Sequence, residues 1–147
     1  MSPVQRFDHV GVTVDDLEAV TAFFLKLGLE QEGQPQIVEG DWVDTVVGIH
    51  DVRAEVVMLQ APNGSTKLEL SKLHKPVDER GPQAAPANEF GLRNIAFAVG
   101  DIQATVDRLK ADGFELMGAI GVYEDIYRLC YVRGPEGIIV SLAERIT

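Results

Sequence analysis

The sequence predicts an α+β fold in which two tandem βαβββ modules form curved mixed sheets around a cleft. Two observations lead to this prediction. Residues 9–30 match residues 94–115 without a gap, and the identical residues include those at the predicted helix cap and helix end. Each copy is then followed by two β-prone runs joined by a turn. With 147 residues, the chain has the length of one domain built from two small modules.

The first copy begins with an apolar strand, Val10–Val14, and continues into an amphipathic helix. Asp16 precedes this helix, where its side chain is suited to accept hydrogen bonds from the first free N–H groups. Gly28 stands where the helix needs a residue with positive φ, so we expect the helix to end there. Between these two positions, apolar residues recur three or four positions apart, at Leu17, Val20, Phe24 and Leu27.

The second copy repeats these features in the same order. Its strand, Ile95–Val99, is followed by Asp101 as a second candidate N-cap and by Gly113 as a second candidate helix end. The helical spacing between them runs through Ile102, Val106 and Leu109. Each copy therefore begins with a strand, a helix and a strand.

Two hairpins complete the modules. In the first, the runs AEVVMLQA and TKLELSKL flank the turn Pro62-Asn63-Gly64. In the second, the runs YRLCYVR and IIVSLAE flank the turn Gly134-Pro135-Glu136-Gly137. The predicted order βαβββ therefore occurs twice.

One segment between the copies reads as a linker. Residues 73–90 are rich in proline and poor in apolar side chains, which is typical of a loop. They would join module one, residues 5–72, to module two, residues 91–147. We expect the whole chain, residues 1–147, to form a single domain.

A second segment, residues 34–51, has no counterpart in the second copy. This segment contains Trp42, and we predict an insertion with a short helix. From such an insertion, Trp42 either covers the cleft or packs at a subunit contact.

Composition and charge exclude several classes of protein. Apolar residues make up 46% of the chain and charged residues 24%, a balance typical of folded globular proteins. No apolar run approaches the roughly 20 residues of a membrane span. A net charge of −10 opposes binding to nucleic acids and to anionic membranes. A single cysteine, Cys130, forms no internal disulfide, and no signal-peptide pattern is visible, so we predict a cytoplasmic protein.

Strand alternation predicts which side chains face the cleft. In each module, alternate apolar residues pack against the helix, and the positions between them take the opposite face. Two curved sheets would bring the polar residues of these opposite faces together, namely His9, Glu69, Asn94 and Ser141. The same alternation in the run YRLCYVR adds Tyr127, Leu129 and Tyr131 to the lining of the cleft.

These segments resemble the vicinal oxygen chelate (VOC) superfamily, which includes glyoxalases, methylmalonyl-CoA epimerases, extradiol dioxygenases and bleomycin-resistance proteins. The resemblance covers nearly the whole chain except the insertion and the linker. It rests on four segments in order: Asp8-His9-Val10-Gly11, Leu68-Glu69-Leu70, Gly91-Leu92-Arg93-Asn94-Ile95-Ala96-Phe97, and Gly134-Pro135-Glu136-Gly137 followed by Ile139-Val140-Ser141-Leu142. The resemblance also implies a homodimer.

The resemblance implies one metal ligand on the first and last strand of each module, which in this chain are His9, Glu69, Asn94 and Ser141. The first two match the family pattern. Asn94 stands where a histidine is usual, and Ser141 stands where a glutamate is usual. A neutral amide and a hydroxyl are poor donors, so their presence should remove most of the affinity for a divalent ion. A weakly held ion on His9 and Glu69 (Zn, Ni, Co, Mn or Mg) stays open.

An enzyme is the first interpretation of the cleft. Glu69 would act as a general base that removes a proton next to a carbonyl of a small molecule, in isomerase or lyase chemistry. His9 and any bound ion would stabilise the resulting enediolate. Ring-cleaving dioxygenase chemistry is disfavoured, because its iron needs two histidines and a carboxylate, and Asn94 removes one histidine.

The alternative interpretation is a metal-free protein that binds and sequesters a small molecule, as bleomycin-resistance proteins do. Tyr127, Tyr131 and Trp42 would then supply stacking surfaces, and the acidic surface would favour a cationic ligand. In the simplest structural account, Lys67 neutralises Glu69 from the same strand face. The two interpretations differ in whether function requires Glu69 and a metal.

Overall fold

The computed structural model describes residues 2–147 and forms two compact units, one that extends to Pro82 and one that comprises Gln83–Thr147. We call them unit one and unit two. Among the described residues, no helix is both long and apolar enough to cross a membrane. The elements of unit one are β1 (His9–Thr13), α1 (Leu17–Leu27), β2 (Glu30–Glu39), α2 (Asp41–Val47), β3 (Arg53–Gln60) and β4 (Lys67–Lys75).

Unit one contains a four-stranded mixed sheet in the order β1-β4-β3-β2. Strand β1 is parallel to β4, and the other neighbours are antiparallel. Helix α1 begins at Asp16, whose side chain accepts a hydrogen bond from the Ala19 N–H at 3.0 Å. It ends at Gly28, which has a φ of 125°. Both predicted helix boundaries are therefore confirmed.

Unit two repeats the same plan in the order β5-β8-β7-β6. Asp101 caps its helix by accepting from the Ala104 N–H at 3.0 Å. The turn after the helix passes through Gly113, which has a φ of 91°. The elements of unit two are β5 (Asn94–Ala98), α3 (Ile102–Ala111), β6 (Gly121–Tyr123), β7 (Tyr127–Arg133) and β8 (Ile139–Arg145).

In each unit, the helix and one face of the sheet bury the predicted apolar residues. Side chains accessible to 5% or less include Val20, Phe23, Phe24, Val57, Leu68 and Leu70 in unit one, and Ile102, Val106, Leu109, Val140 and Leu142 in unit two. Cys130 is buried next to Leu142. The α+β fold with two βαβββ repeats is confirmed. We call the sheet face opposite the α1 or α3 helix the open face.

The segment 34–51 differs from the prediction in its first part. Residues 34–39 continue strand β2, whereas the counterpart strand β6 has only three residues. The ladder with β3 shifts register between Glu32 and Gln36, and this bulge accommodates Gly33 and Pro35. The predicted short helix is present as α2, which contains Trp42.

The two units use opposite charges at one equivalent position. In unit one, Lys72 lies opposite Glu55 in the ladder and contacts the carbonyl oxygen of Asp15 in the β1–α1 connection. In unit two, Glu144 lies opposite Arg128, and its carboxylate accepts from the Ile102 N–H at 2.8 Å. Lys72 therefore connects β4 to the start of α1, and Glu144 connects β8 to the start of α3.

Candidate functional site

The open face of unit one carries His9 on β1 and Glu69 on the neighbouring strand β4. In the ladder, Gly11 lies opposite Glu69, and His9 lies opposite Lys67. A Cβ atom at Gly11 would stand 3.9 Å from the Glu69 Oε1 atom, so the glycine leaves space around this carboxylate. The predicted placement of His9 and Glu69 on one face follows from this register.

His9 and Glu69 approach each other through their polar atoms. The His9 Nε2 atom lies 3.6 Å from the Glu69 Oε2 atom. This distance is too long for a direct hydrogen bond. The side chains are 39% and 32% exposed, so both are reachable by a small molecule.

The other ring nitrogen of His9 is bound to its neighbour in the chain. The Nδ1 atom lies 2.8 Å from the Asp8 Oδ2 atom, and Arg6 donates to the Asp8 Oδ1 atom at 2.7 Å. These two hydrogen bonds, first that of His9 and then that of Arg6, hold the pKa of the Asp8 carboxyl below its ordinary value. Asp8 is thus a carboxylate with both oxygens engaged.

Lys67 does not pair with Glu69, although the simplest structural account of the sequence suggested this pair. Its Nζ atom lies 2.8 Å from the Glu32 Oε2 atom on strand β2. Strand β3 lies between β4 and β2, and Glu32 and Glu69 both lie opposite Met58 of β3, so the long lysine side chain reaches across β3 to Glu32. Of these two carboxylates, Glu32 rather than Glu69 balances the charge of Lys67.

In unit two, Asn94 and Ser141 occupy the equivalent ladder positions. Ser141 lies opposite Ala96, just as Glu69 lies opposite Gly11 in unit one. The Asn94 amide nitrogen donates to the Tyr131 hydroxyl at 3.2 Å, and Tyr131 lies opposite Ser141. The structure therefore brings Asn94, Ser141 and Tyr131 into one polar group.

The open face of unit two also presents apolar and aromatic surface. Leu129 and Tyr131 are more than one-third exposed, and Tyr127 shares their side of strand β7. The guanidinium carbon of Arg145 lies 6.0 Å from the centre of the Tyr127 ring. The alternation predicted for this strand is confirmed, with Cys130 buried on the other side.

Trp42 projects from α2 and is 62% exposed. Its neighbour Val43 packs against Ala54 and Leu73. Strand alternation puts Ala54 and Leu73 on the same face of the sheet as Glu69, so α2 covers one end of the open face. Trp42 therefore lies on the side of unit one that carries His9 and Glu69.

The comparisons with known proteins agree with this architecture. The model of the glyoxalase/bleomycin resistance protein/dioxygenase superfamily matches residues 8–131. The chain belongs to this superfamily. The VOC resemblance predicted from the four sequence segments is thereby confirmed.

Several relatives of this VOC chain are informative. It is 36% identical over 150 residues to the ethylmalonyl-CoA/methylmalonyl-CoA epimerase of Cereibacter sphaeroides, across 96% of this chain and 98% of the relative. A glyoxalase-family protein from Bacillus cereus is 38% identical, with a TM-score of 0.94 over 99% of this chain and 97% of that one. A fosfomycin resistance protein from Listeria monocytogenes, 15% identical, shares the fold with a TM-score of 0.61 over 95% of this chain and 92% of that one.

In unit one, His9 and Glu69 supply two of the three or four protein ligands that a bound divalent ion needs. Two donors bound to one ion at about 2.1 Å stand roughly 3.0–3.5 Å apart. The 3.6 Å between the His9 and Glu69 atoms is close to that separation. At the equivalent positions, Asn94 and Ser141 offer only neutral oxygens. Within residues 2–147, no group of three or more His, Cys, Asp or Glu side chains is arranged to hold an ion.

Asp8 contacts His9 but was not among the predicted site residues. Asp8 was part of the segment that carried the VOC resemblance, but it received no role. Strand alternation places Asp8 on the opposite side from His9, yet its side chain turns back to the ring. A carboxylate directly beside a candidate metal-ligating histidine is the signal that could have indicated it.

Proposed function

We propose that this chain is an isomerase-type VOC enzyme that moves a proton next to a carbonyl group, with Glu69 as the base. The proposal is carried by the pair of His9 and Glu69, whose polar atoms lie 3.6 Å apart on an open, partly exposed face. The 36% identity to an ethylmalonyl-CoA/methylmalonyl-CoA epimerase supports isomerase rather than lyase chemistry. A 2-substituted malonyl thioester is the substrate class to test first.

In the proposed step, a Glu69 oxygen takes the proton from the carbon between the two carbonyl groups. The electron pair of the broken C–H bond forms the C=C bond of an enolate, and the carbonyl π electrons move to oxygen. Protonation of the opposite face of the carbon by solvent water gives the epimer and restores the carbonyl, and Glu69 passes its proton to water. The net change is an inversion, so no oxidant or further reactant is needed.

His9 and Glu69 would also hold a divalent ion if one binds, and the ion would neutralise charge on the substrate oxygen. With or without an ion, His9 is proposed to orient the substrate oxygen beside Glu69. His9 faces the same space as Glu69, and Asp8 keeps its ring in place. We propose Asn94, Ser141, Tyr127, Tyr131 and Trp42 as substrate-contacting residues.

The proposal is tested by proton exchange in D₂O, because abstraction replaces the substrate proton by deuterium. Methylmalonyl-CoA would be incubated with the protein, and loss of the 2-H signal followed by ¹H NMR. Glu69→Gln should slow catalysed exchange by about 10²–10⁴-fold, because the amide cannot accept the proton. Ser71→Ala changes a neighbour on the same strand face and should leave exchange unchanged.

Full exchange in the Glu69→Gln variant would overturn the role of Glu69. If the parent protein exchanges neither methylmalonyl-CoA nor ethylmalonyl-CoA, the malonyl thioester class is wrong. Metal analysis of protein purified without chelator adds a second measurement. An ion held by this pair would be lost in both His9→Ala and Glu69→Ala.

A binding protein is the second candidate, and the open face of unit two favours it. This face exposes Leu129 and Tyr131 beside Tyr127, a surface suited to stacking with an apolar or aromatic compound. A binder should keep its ligand affinity in Glu69→Gln and in the presence of EDTA. Isothermal titration with a panel of aromatic cations would separate the two candidates.

A further inference from the structure

We propose that Asp8 is a positioning residue that fixes the ring tautomer of His9, so that the Nε2 lone pair faces Glu69. The tautomer itself follows from hydrogen bonds in unit one. Its importance for turnover rests on the proposed function.

The contact of the ring determines which nitrogen carries the proton. A carboxylate accepts hydrogen bonds and donates none, so the 2.8 Å contact with the Asp8 Oδ2 atom requires a proton on His9 Nδ1. In the neutral ring, Nε2 is then an acceptor. At 3.6 Å it faces the Glu69 Oε2 atom, which is also an acceptor. Two lone pairs at this distance are positioned to share a cation.

The opposite tautomer would have a different consequence. A proton on Nε2 would allow the ring to donate to Glu69, which would engage the carboxylate and weaken it as a base. In the neutral ring, a proton on Nδ1 leaves Nε2 without one, so this hydrogen bond cannot form. The reactive atoms of His9 and Glu69 are thereby both kept as electron-pair donors.

Asp8 is itself held at three points. Its Oδ1 atom accepts from Arg6 at 2.7 Å, and its Oδ2 atom contacts the His9 ring. Its backbone oxygen accepts from the Lys67 N–H on strand β4 at 3.2 Å. The backbone contact fixes the residue relative to the strand that carries Glu69, so the side chain acts from a defined position.

The equivalent position in unit two contains the opposite charge. Arg93 precedes Asn94 as Asp8 precedes His9. An arginine cannot accept the ring proton of a histidine. The hydrogen-bond acceptor is therefore present beside His9 in unit one and is replaced by arginine beside Asn94 in unit two. This difference is expected if Asp8 serves to orient the His9 ring.

The test is ¹⁵N NMR of the histidine side chains at about pH 8.5, which is above the usual pKa range of histidine side chains. In the parent protein, His9 should show a protonated Nδ1 and an unprotonated Nε2. His74 provides an internal reference, because its Nε2 atom lies 3.0 Å from the Glu55 Oε1 atom and should carry the proton. The spectrum should therefore contain both tautomers.

In Asp8→Ala, the His9 signals should shift toward the Nε2-protonated form, while those of His74 stay unchanged. In Asp8→Asn, the amide oxygen can still accept from Nδ1, so the parent tautomer should be largely retained. Glu55→Gln is the matched control for removing a histidine-bound carboxylate elsewhere in unit one. Thermal unfolding should be unaffected by Asp8→Ala, since the side chain is 57% exposed.

Cobalt titration gives the second readout, with an expected 10–100-fold loss of affinity (an order-of-magnitude value) in Asp8→Ala and none in Glu55→Gln. A parent spectrum with the proton on His9 Nε2, or an Asp8→Ala spectrum equal to the parent, would overturn the positioning role. If the tautomers behave as expected but the parent protein exchanges no substrate protons, the proposed function fails and the role of Asp8 stands. If exchange depends on Glu69 while Asp8→Ala leaves the His9 tautomer unchanged, the proposed function stands and the positioning role of Asp8 fails.

Discussion

Carboxylates of unit one have distinct tasks that depend on what each one contacts. Asp8 accepts from a ring N–H and a guanidinium, whereas Asp44 accepts from two backbone N–H groups, those of Asp51 and Val52, at 2.8 Å each. Glu69 alone of these three faces an imidazole nitrogen without a hydrogen bond at that contact. This contact pattern, rather than residue type, separates Glu69 from the structural carboxylates.

The sequence could predict which face His9 and Glu69 share, because side-chain alternation in a strand is fixed by the backbone. It could not predict the contact between Asp8 and His9. That contact depends on side-chain rotation at the strand entrance, for which period-two alternation carries no information. The predicted partner of Lys67 was wrong for a related reason, because the register between β2 and β3 depends on the bulge.

The thiol of Cys130 should be unreactive in the folded protein. The residue is only 5% exposed, and burial raises the pKa of its thiol, so little thiolate is available at neutral pH. We expect labelling by a thiol reagent at pH 8 to be slow in buffer and fast in denaturant. A Cys130→Ala/Val122→Cys variant, with the thiol at an exposed strand position, should label at once. Rapid labelling of the native parent would contradict the burial of Cys130.

Among the elements, the turn between β7 and β8 depends on a glycine. Gly137 has a φ of 80°, and a Cβ atom there would stand 2.6 Å from the Gln83 backbone oxygen and 2.8 Å from the Ala84 Cα atom. Arg133 reinforces this arrangement by donating to the carbonyl oxygens of Ala85 and Gly137. The turn is therefore closely packed against the segment that precedes β5.

Gly137→Ala should lower the free energy of unfolding by more than about 1 kcal/mol, because it adds a backbone clash to the strain of positive φ. Gly64→Ala is the matched control, since Gly64 has a φ of 69° but no atom within 4 Å of the added Cβ. Urea unfolding of both variants separates the clash from the strain. Equal losses would show that the contact with residues 83–84 has no energetic effect.

Helix α2 is tied to β3 by the Asp44 carboxylate, and this tie should depend on pH. Hydrogen bonds from Val52 and then Asp51 lower the pKa of Asp44 below its ordinary value of 3.8. A lowered folded-state pKa stabilises the protein above the unfolded-state value, and the stabilisation is lost as pH falls through the folded-state pKa. Asp44 should therefore contribute fully near pH 6 and progressively less below about pH 4.

Asp44→Asn should reduce the melting temperature at pH 6 and flatten its decline between about pH 4 and pH 2. Asp41→Asn, on the same helix, controls for the loss of one charge. A decline with the parent's slope in Asp44→Asn would refute the assignment to this carboxylate.

The existence of α2 was predictable from the sequence, but the extension of β2 to Glu39 was not, because Gly33 and Pro35 usually interrupt strands.

At the scale of the whole molecule, the duplication made most of the fold predictable. The matched segments 9–30 and 94–115 become β1–α1 and β5–α3 with equivalent ladders to β4 and β8. Caps, apolar spacing and turn residues all indicate the same elements twice, and such agreement between levels is what makes a sequence interpretable. The family assignment then follows from the whole chain rather than from one motif.

We propose a homodimer, in line with the sequence prediction. The segments that lead into the edge strands β1 and β5 expose Phe7, Phe90 and Leu92, and Phe90 and Leu92 are 100% and 85% exposed. Apolar side chains this exposed next to a strand edge are typical of a surface that another chain covers. Phe90→Asp/Leu92→Asp should convert the dimer to a monomer in sedimentation velocity, whereas Val77→Asp, which changes an exposed apolar residue outside the strands, should not. A monomeric parent at micromolar concentration would contradict the proposal.

The opposite charges of Lys72 and Glu144 should disfavour an error in strand pairing that the duplication makes possible. Two similar hairpins in one chain could exchange their last strands during folding. A swapped β8 would set Glu144 against Glu55, and a swapped β4 would set Lys72 against Arg128, so each wrong hairpin would juxtapose like charges. Correct pairing gives opposite charges in both units. We expect this repulsion to disfavour the two mispaired hairpins relative to the correct ones.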